Sequence, residues 1–392
     1  MVLSTKQEEG LKIAVRRYQD HEPYTCIAGY AGTGKSTLIK FIIAALDVDP
    51  DDVCYVAFTG KAATVLQAKG CQNATTAHQL LYYAKPMPNG SFKFVQKTSI
   101  DYKVIVVDEI SMLPRPMWEL LLKHKVYILA MGDPGQLPPI DPDMDNHVLD
   151  TPHVFLDEIM RQAQDSEIIR LSMWVREGNP VATFPVANEQ VKIVSQAEMV
   201  SGMYDWADQV LCATNSKRQA INDIVRKQRG FDEGPCVGDK IISLHNHWQY
   251  FSSGGTWALT NGAIGTIANF QIQQVYLPYY ISKPPINYMY TDIQLEDGEM
   301  FNGTPIDHLA LTTGTPALDP KQTYLLNRNK NCPDAPFDFA YAYAITCHKA
   351  QGSEWDKVLV IEENFPREAS EHIRWLYTAV TRAKEKLVVV KK

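Results

Sequence analysis

Residues Gly29-Tyr30-Ala31-Gly32-Thr33-Gly34-Lys35-Ser36-Thr37 make a complete G-x-x-x-x-G-K-S run. Glycines at these spacings let the backbone curl until successive N–H groups point at one spot. A helix starting there adds its partial positive charge. The chemistry this suits is the cradling of a polyphosphate. Gly32, Thr33, Gly34, Lys35, Ser36 and Thr37 are the candidate contacts. Lys35 would reach the β- and γ-phosphates, and the Ser36 hydroxyl would ligate Mg²⁺. The flanks fit: Tyr24 to Ala28 reads as a short buried strand, Leu38 to Leu46 as a helix. That context separates the run from a glycine-rich turn that binds nothing.

Two carboxylates follow at a second strand tip. Val104 to Val107 is a continuous apolar run, and Asp108-Glu109 ends it. Asp108 suits the metal, and Glu109 suits positioning and deprotonating an attacking water. The strand Val126–Met131 runs into Gly132-Asp133-Pro134-Gly135-Gln136, where Gln136 suits sensing a γ-phosphate. Arg161, before a helix predicted to run to about Val175, is either a rim charge or a cation aimed at phosphate. The strand Val53–Phe58 ends in Thr59-Gly60-Lys61, and Thr76-Ala77-His78 opens another helix. Polar residues at strand ends of an α/β sheet face its ligand crevice. Thr59, Lys61 and His78 are therefore candidates for a second ligand, with helix capping and simple exposure equally open. Arg382 ends a helix far from the phosphate loop, where an arginine finger in cis would originate.

The elements that must position these residues are legible around them. Ser4-Thr5-Lys6-Gln7 reads as a capping box opening a first helix. From about residue 180 a second α/β pattern begins, with strands at Val191–Val194 and Gln209–Ala213 and a helix at Ser216–Arg229. Phe339–Ile345 and Lys357–Ile361 return to strand, and Lys386–Val390 closes the sheet. Two stretches break the alternation. In residues 82–98, Met87-Pro88-Asn89-Gly90-Ser91 is a turn signal before Phe92 and Phe94, predicting an inserted hairpin. In residues 236–336, Lys283 is the one Asp, Glu, Lys or Arg between Ile241 and Thr291. That predicts a small β-barrel or meander. Its aromatics, Trp248, Tyr250, Phe251, Trp257, Tyr279 and Tyr280, are expected in the core or wall.

At 392 residues the chain should form more than one domain. Hydrophobic content of 45% and charged content of 21% are those of a globular protein, and no apolar run is long enough to span a bilayer. The formal net charge of −7 argues against a general coat of nucleic-acid contacts while leaving room for a local groove. Seven cysteines without a C-x-x-C pair argue against zinc ribbons and disulfide frameworks, and fit a reducing compartment.

In order, GYAGTGKST, FTGKAA, TAHQLL, VVDEISML, GDPGQLPP, EIMRQ, ITCHKAQGSEWD and LYTAVTRAKEKL resemble the motifs of superfamily 1 helicases, in the 5′–3′ branch that includes RecD and Dda. The resemblance implies an α/β fold of two RecA-like domains, 1–81 with 99–178 and 179–235 with 337–392. It also implies a pin hairpin at 82–98 that splits the duplex, with Asn89, Gly90 and Phe92 at its tip, and an SH3-like insertion at 236–336. Residue by residue, it implies that Gln7 reads adenine and that Lys35 and Ser36 hold phosphate and Mg²⁺. Asp108 and Glu109 become metal acid and base, and Gln136 links the γ-phosphate to the nucleic-acid groove. Arg161 and Arg382 clamp the γ-phosphate, Glu354 lies near the ribose, and Thr59, Lys61, His78, Thr346, His348 and Lys349 line the single-strand track. The implied cofactors are ATP and Mg²⁺. The implied partners are single-stranded DNA and its junctions with duplex, with a single-strand-binding protein or replication partner, for a cytoplasmic monomer in a bacterium or phage-infected cell. The glutamine motif lies close to residue 1, which favours a free-standing motor over a nuclease-complex subunit. An ATP-dependent clamp without unwinding, and an RNA helicase, are the alternatives.

Overall fold

In β1 (Tyr24–Gly29), Cys26 faces one hydrophobic cluster and Ile27 another. Successive strand side chains point to opposite faces, so this strand is covered on both. The computed structural model describes the chain except residues 1–2, 87–91, 140, 161–162, 164, 232–233, 255–257, 283, 297 and 330. Before β1 runs α1 (Thr5–Gln19). After it come α2 (Lys35–Leu46), β2 (Val53–Ala57), α3 (Gly60–Ala68), β3 (Ala74–Thr76), α4 (Ala77–Leu81), β4 (Tyr82–Pro86) and β5 (Phe92–Gln96). Next are β6 (Val104–Val107), α5 (Arg115–Lys123), β7 (Tyr127–Gly132), β8 (Val154–Leu156) and α6 (Glu167–Arg176). The six-stranded sheet is ordered β3-β2-β6-β7-β1-β8, and every pairing is parallel. In β6, Val104 and Val106 pack with Leu38 and Ile42 of α2, while Ile105 and Val107 pack with Leu120 and Leu121 of α5. Each such fully buried side chain contributes roughly 1.5–3 kcal/mol.

The second sheet repeats the pattern. It uses β9 (Val191–Ser195), α7 (Gly202–Trp206), β10 (Gln209–Cys212) and α8 (Asn215–Gln228). Between them and the rest of the sheet lie β11 (Lys240–Ser243), β12 (His247–Phe251), β13 (Ala258–Leu259), β14 (Ile264–Val275), β15 (Ile286–Leu295), β16 (Met300–Asp307), α9 (His308–Thr313), α10 (Pro320–Asn327) and β17 (Phe339–Tyr341). The sheet resumes with β18 (Ala344–Thr346), α11 (Cys347–Ala350), β19 (Trp355–Ile361), α12 (Ala369–Val380) and β20 (Ala383–Lys391). Its order is β18-β10-β19-β20-β9, all parallel.

Three findings differ from the sequence reading. Phe339–Ile345 is not one strand. β17 pairs antiparallel with β11 in the inserted sheet, and β18 pairs parallel with β10, so the chain changes sheets across Ala342-Tyr343. The insertion also holds helices: Asp307 caps α9, and Asp319 with Gln322 forms a capping box on α10. Finally, Tyr279, Tyr280 and Phe251 are 72%, 63% and 53% exposed, outside any core, whereas Tyr250 packs on Phe301 and Phe337. Pairing around the insertion runs β16-β15-β14-β11-β17, antiparallel throughout. β4 and β5 pair antiparallel from Tyr82↔Gln96 to Pro86↔Phe92. Among the described residues, no helix is long and apolar enough to cross a membrane.

Candidate nucleotide site and interdomain cleft

The phosphate loop joins β1 to α2. Gly34 sits at the left-handed φ of 77° that α2's start requires, and a Cβ there would lie 2.6 Å from Gln7 Nε2. Only glycine meets both conditions. Gln7 is itself 1% exposed. Its Oε1 accepts the Ser4 N–H at 3.0 Å, completing the capping box, and its Nε2 donates to the carbonyls of Thr33 at 3.2 Å and Gly34 at 3.5 Å. Here Gln7 is a strut beneath the loop. The Thr33 hydroxyl donates to the Tyr30 carbonyl, and Lys35 Nζ donates to the carbonyls of Gly29 at 2.7 Å and Tyr30 at 3.0 Å. Burial lowers the Lys35 pKa, against the pull of Asp133, Asp108 and Glu109. Ser36 is exposed and Thr37 half-buried on the first turn of α2.

Asp108 and Glu109 follow the end of β6. Glu109 has φ 49° and ψ 55°, a conformation uncommon outside glycine, and its N–H donates to Asp108 Oδ1 at 3.0 Å. Burial raises both carboxyl pKa values, with Lys35 opposing the rise at Asp108 and Arg382 opposing it at Glu109. A serine hydroxyl and one carboxylate are hard oxygen donors, the set that holds Mg²⁺ together with phosphate oxygens. Among the described residues, no cluster of three or more His, Cys, Asp or Glu could hold a metal by protein alone. The donor set therefore fits a nucleotide-bound Mg²⁺.

The second sheet's helices reach across. Arg382, 4% exposed, places NH1 3.5 Å from Glu109 Oε1 and is held by the carbonyls of Thr378 and Ser353. The Tyr377 hydroxyl accepts the Ala31 N–H of the phosphate loop at 2.8 Å and donates to Asp133 Oδ2 at 2.7 Å. Thr378 Oγ1 accepts the Leu137 N–H at 2.9 Å, and Gln351 Nε2 donates to the Leu137 carbonyl at 2.9 Å. The loop carrying Gln136, itself half-buried, is thus gripped by three residues of the other sheet. Tyr377, Thr378, Gln351 and Asp133 were not singled out from sequence. The apolar setting of Leu376-Tyr377-Thr378-Ala379 was the available signal.

The remaining candidates divide. Thr59 caps α3 with Oγ1 accepting the Ala62 N–H, and a Cβ built on Gly352 would be 3.4 Å from that Oγ1. Thr59 therefore meets the segment after Thr346, His348 and Lys349. Thr346 precedes α11 at 9% exposure without a side-chain capping bond, and Lys349 Nζ donates to Asn261 Oδ1 at 2.8 Å. His78 lies between Phe58 and Tyr82, with ring centroids at 6.4 and 6.2 Å. Burial lowers the pKa of His78, His348 and Lys349. Lys61 lies in the first turn of α3. Glu354 is exposed and shares a cavity with Asp108, Glu109 and Arg382. Phe92 begins β5. Arg161, Asn89 and Gly90 lie outside the described residues.

Comparison with known proteins gives this geometry its family. The AAA domain model matches residues 3–198, half of the chain, and the UvrD-like helicase C-terminal domain model matches residues 341–390. The ATP-dependent RecD2 DNA helicase of Deinococcus radiodurans is 26% identical over 377 residues, covering 92% of this chain. The ATP-dependent DNA helicase dda of Enterobacteria phage T4 is 26% identical over 267 residues, covering 61%. The aligned stretches span 46% and 60% of those two relatives' own lengths. The fold is similar to a Bacteroides Pif1 helicase in complex with ADP-AlF3 and single-stranded DNA, with TM-score 0.54, 17% identity, and coverage of 99% of this chain and 92% of that one. A structure of two coordinating Pif1 helicases at forked DNA gives TM-score 0.56 at 18% identity, with coverage of 99% and 92%. The chain belongs to the AAA domain family, and its likeness lies with the RecD/Dda-like helicases of superfamily 1B.

Proposed function

We propose that this protein is an ATP-dependent DNA helicase that moves 5′ to 3′ on single-stranded DNA. The observation that carries the reading is the Arg382–Glu109 approach at 3.5 Å, an arginine of one sheet at the carboxylate of the other. The names of the RecD2 and dda relatives support the substrate and the energy source. In this reading residues 1–81 and 99–178 form the first motor domain and 179–235 with 337–392 the second. Residues 82–98 are a pin and 236–336 an SH3-like insertion.

Lys35 binds the phosphates, Ser36 and Asp108 hold Mg²⁺, and Gly32, Thr33, Gly34 and Thr37 shape the loop. The metal supplies charge neutralisation at the transferred phosphoryl group. Glu109 orients and deprotonates water, a task its raised pKa suits. Arg382 and Arg161 neutralise charge that develops only in the transition state. Cleft closure and hydrolysis are thereby coupled. Gln136 senses the γ-phosphate, and its loop, clamped by Tyr377, Thr378 and Gln351, carries that state to the strand track of Thr59, Lys61, His78, Thr346, His348 and Lys349. Gln7 reads adenine by exchanging its bonds to the Thr33 and Gly34 carbonyls, and Glu354 faces the ribose. Because burial favours neutral His78 and His348, the track grips bases and backbone more by hydrogen bonding and packing than by histidine charge. Asn89, Gly90 and Phe92 part the duplex.

The test is ATP-dependent unwinding of duplexes bearing a 5′ or a 3′ single-stranded DNA tail. We expect unwinding of the 5′-tailed duplex alone. Unwinding of the 3′-tailed duplex alone would overturn the polarity. Stimulated ATPase without unwinding of either would replace the helicase by a clamp.

A further inference from the structure

A cavity of about 150 Å³ opens beside the catalytic pair, walled by both sheets' elements. Asp108, Glu109 and Arg382 line it together with Lys69, Glu354 and Lys384. Among its described lining residues none belongs to the phosphate loop. The Glu109 carboxylate faces this space: a Cβ built on Gly352, another wall residue, would be 3.4 Å from Glu109 Oε2. The cavity therefore adjoins the Glu109 carboxylate. It falls below the roughly 300 Å³ at which pockets begin to hold drug-sized ligands. Yet it has the volume share of about five waters, enough for a small tetrahedral oxyanion.

Its charges are graded. Arg382 is buried 3.5 Å from Glu109 Oε1, whereas Lys69 is exposed and the Lys384 side chain is 51% exposed, 3.2 Å from Asp356. The cations lining the cavity thus range from the buried Arg382 to the exposed Lys69 and Lys384. Hydrolysis bonds the water oxygen to the γ-phosphorus and breaks the bond to the bridging oxygen of the diphosphate. The water's proton passes through Glu109 to the products. In that reading the new phosphate forms at Glu109, and the diphosphate stays on the phosphate loop.

We propose that this cavity is the exit for inorganic phosphate, passing from Arg382 to Lys69 and Lys384 and leaving ahead of the diphosphate nucleotide. The proposal rests on the ATPase reading above. It ties phosphate release to the cleft, because residues of both sheets' elements wall the cavity.

The experiment is single-turnover hydrolysis on single-stranded DNA. Rapid quench would follow diphosphate formation, and a fluorescent phosphate-binding reporter would follow free phosphate. For the double variant Lys69→Glu/Lys384→Glu we expect phosphate release to lag about tenfold behind diphosphate formation. Ala62→Met, which fills the cavity without altering charge, should give a lag of the same sign. Phosphate appearing in step with the diphosphate in both variants would overturn the exit. So would slowed hydrolysis without a lag, which would assign the cavity to the attacking water alone. Absence of hydrolysis in the unaltered protein would instead sink the ATPase reading.

Discussion

Among the described residues, two arginine–carboxylate pairs have a buried guanidinium, and they are built differently. At the joint of α8 and β11, Arg226 meets Asp239 with Nε–Oδ1 at 2.9 Å and NH2–Oδ2 at 3.2 Å. Asp239 also accepts the Cys236 N–H at 2.8 Å and the Tyr343 hydroxyl at 3.0 Å, and the guanidinium lies 4.1 Å from the Tyr341 ring centroid. In the cleft, Arg382 reaches Glu109 once, at 3.5 Å, and its other hydrogen bonds go to Thr378, Ser353 and Thr381 near it. A bidentate pair with every oxygen satisfied fixes geometry. A long single contact between elements of two sheets can be broken and remade. On the proposed function, the first pair is architecture and the second is a moving part.

The comparison breaks if the two pairs respond alike to mutation. The largest expected effect is on turnover. Arg382→Ala should cut single-strand-stimulated ATP hydrolysis by about 10³-fold or more, and Lys35→Ala should abolish it while single-strand binding persists. Thermal unfolding of Arg382→Ala should stay close to that of the unaltered protein. A wild-type rate in Arg382→Ala would remove the finger role. Next, Arg226→Met should cost about 3–5 kcal/mol in urea unfolding, because Asp239 is left charged and buried. Its turnover per folded molecule should be nearly intact. A cost below about 1 kcal/mol would mean that Asp239 finds other partners or takes up a proton.

Tyr377→Phe sharpens the cleft side. Without the hydroxyl, the Ala31 N–H and Asp133 Oδ2 lose a shared partner inside the closed cleft. An unsatisfied buried group costs about 1–3 kcal/mol, so closed-state turnover should fall about ten- to a hundredfold. A positioning role predicts loss in kcat with the KM for ATP little changed. A lowered unfolding temperature with unchanged kcat would make the hydroxyl merely structural.

These contrasts also separate what the sequence could tell from what it could not. The phosphate loop, the Asp108-Glu109 tip and the Ser4–Gln7 cap are local, since spacing of a few residues fixes their geometry. The Tyr377 bridge joins residues 346 and 244 positions apart, and no local pattern encodes it. The transfer between β17 and β18 was hidden because an apolar run reads as one strand whichever sheets its halves join. The helix at α10 was legible, in Asp319-Pro320-Lys321-Gln322, but was masked by the β-rich composition around it. Exposure of Tyr279 and Tyr280 follows from their place beyond the end of β14, which composition does not report.

The smallest expected effect concerns acid, and it keeps stability and turnover apart. His247 on β12 stacks on Phe337 with ring centroids 3.6 Å apart, and its Nε2 is buried without a hydrogen-bond partner among the described residues. Burial lowers its pKa to about 4, with His245 lowering it further and Asp338 opposing. The unfolded chain, with a pKa near 6.5, binds this proton first as pH falls. Stability is therefore whole above about pH 6.5 and is lost progressively toward pH 4, by about 1–3 kcal/mol from this group. His247→Phe should keep the stack and flatten that part of the urea-unfolding profile between pH 7 and pH 4.5. An unchanged slope would show that other groups carry the acid sensitivity. The acid limb of ATP hydrolysis reports Glu109, whose raised pKa moves loss of the base toward neutrality, and it should be the same in His247→Phe. If the variant shifted that limb, the insertion would be coupled to the catalytic carboxylate, and the division between fixed architecture and moving cleft would fail at this point.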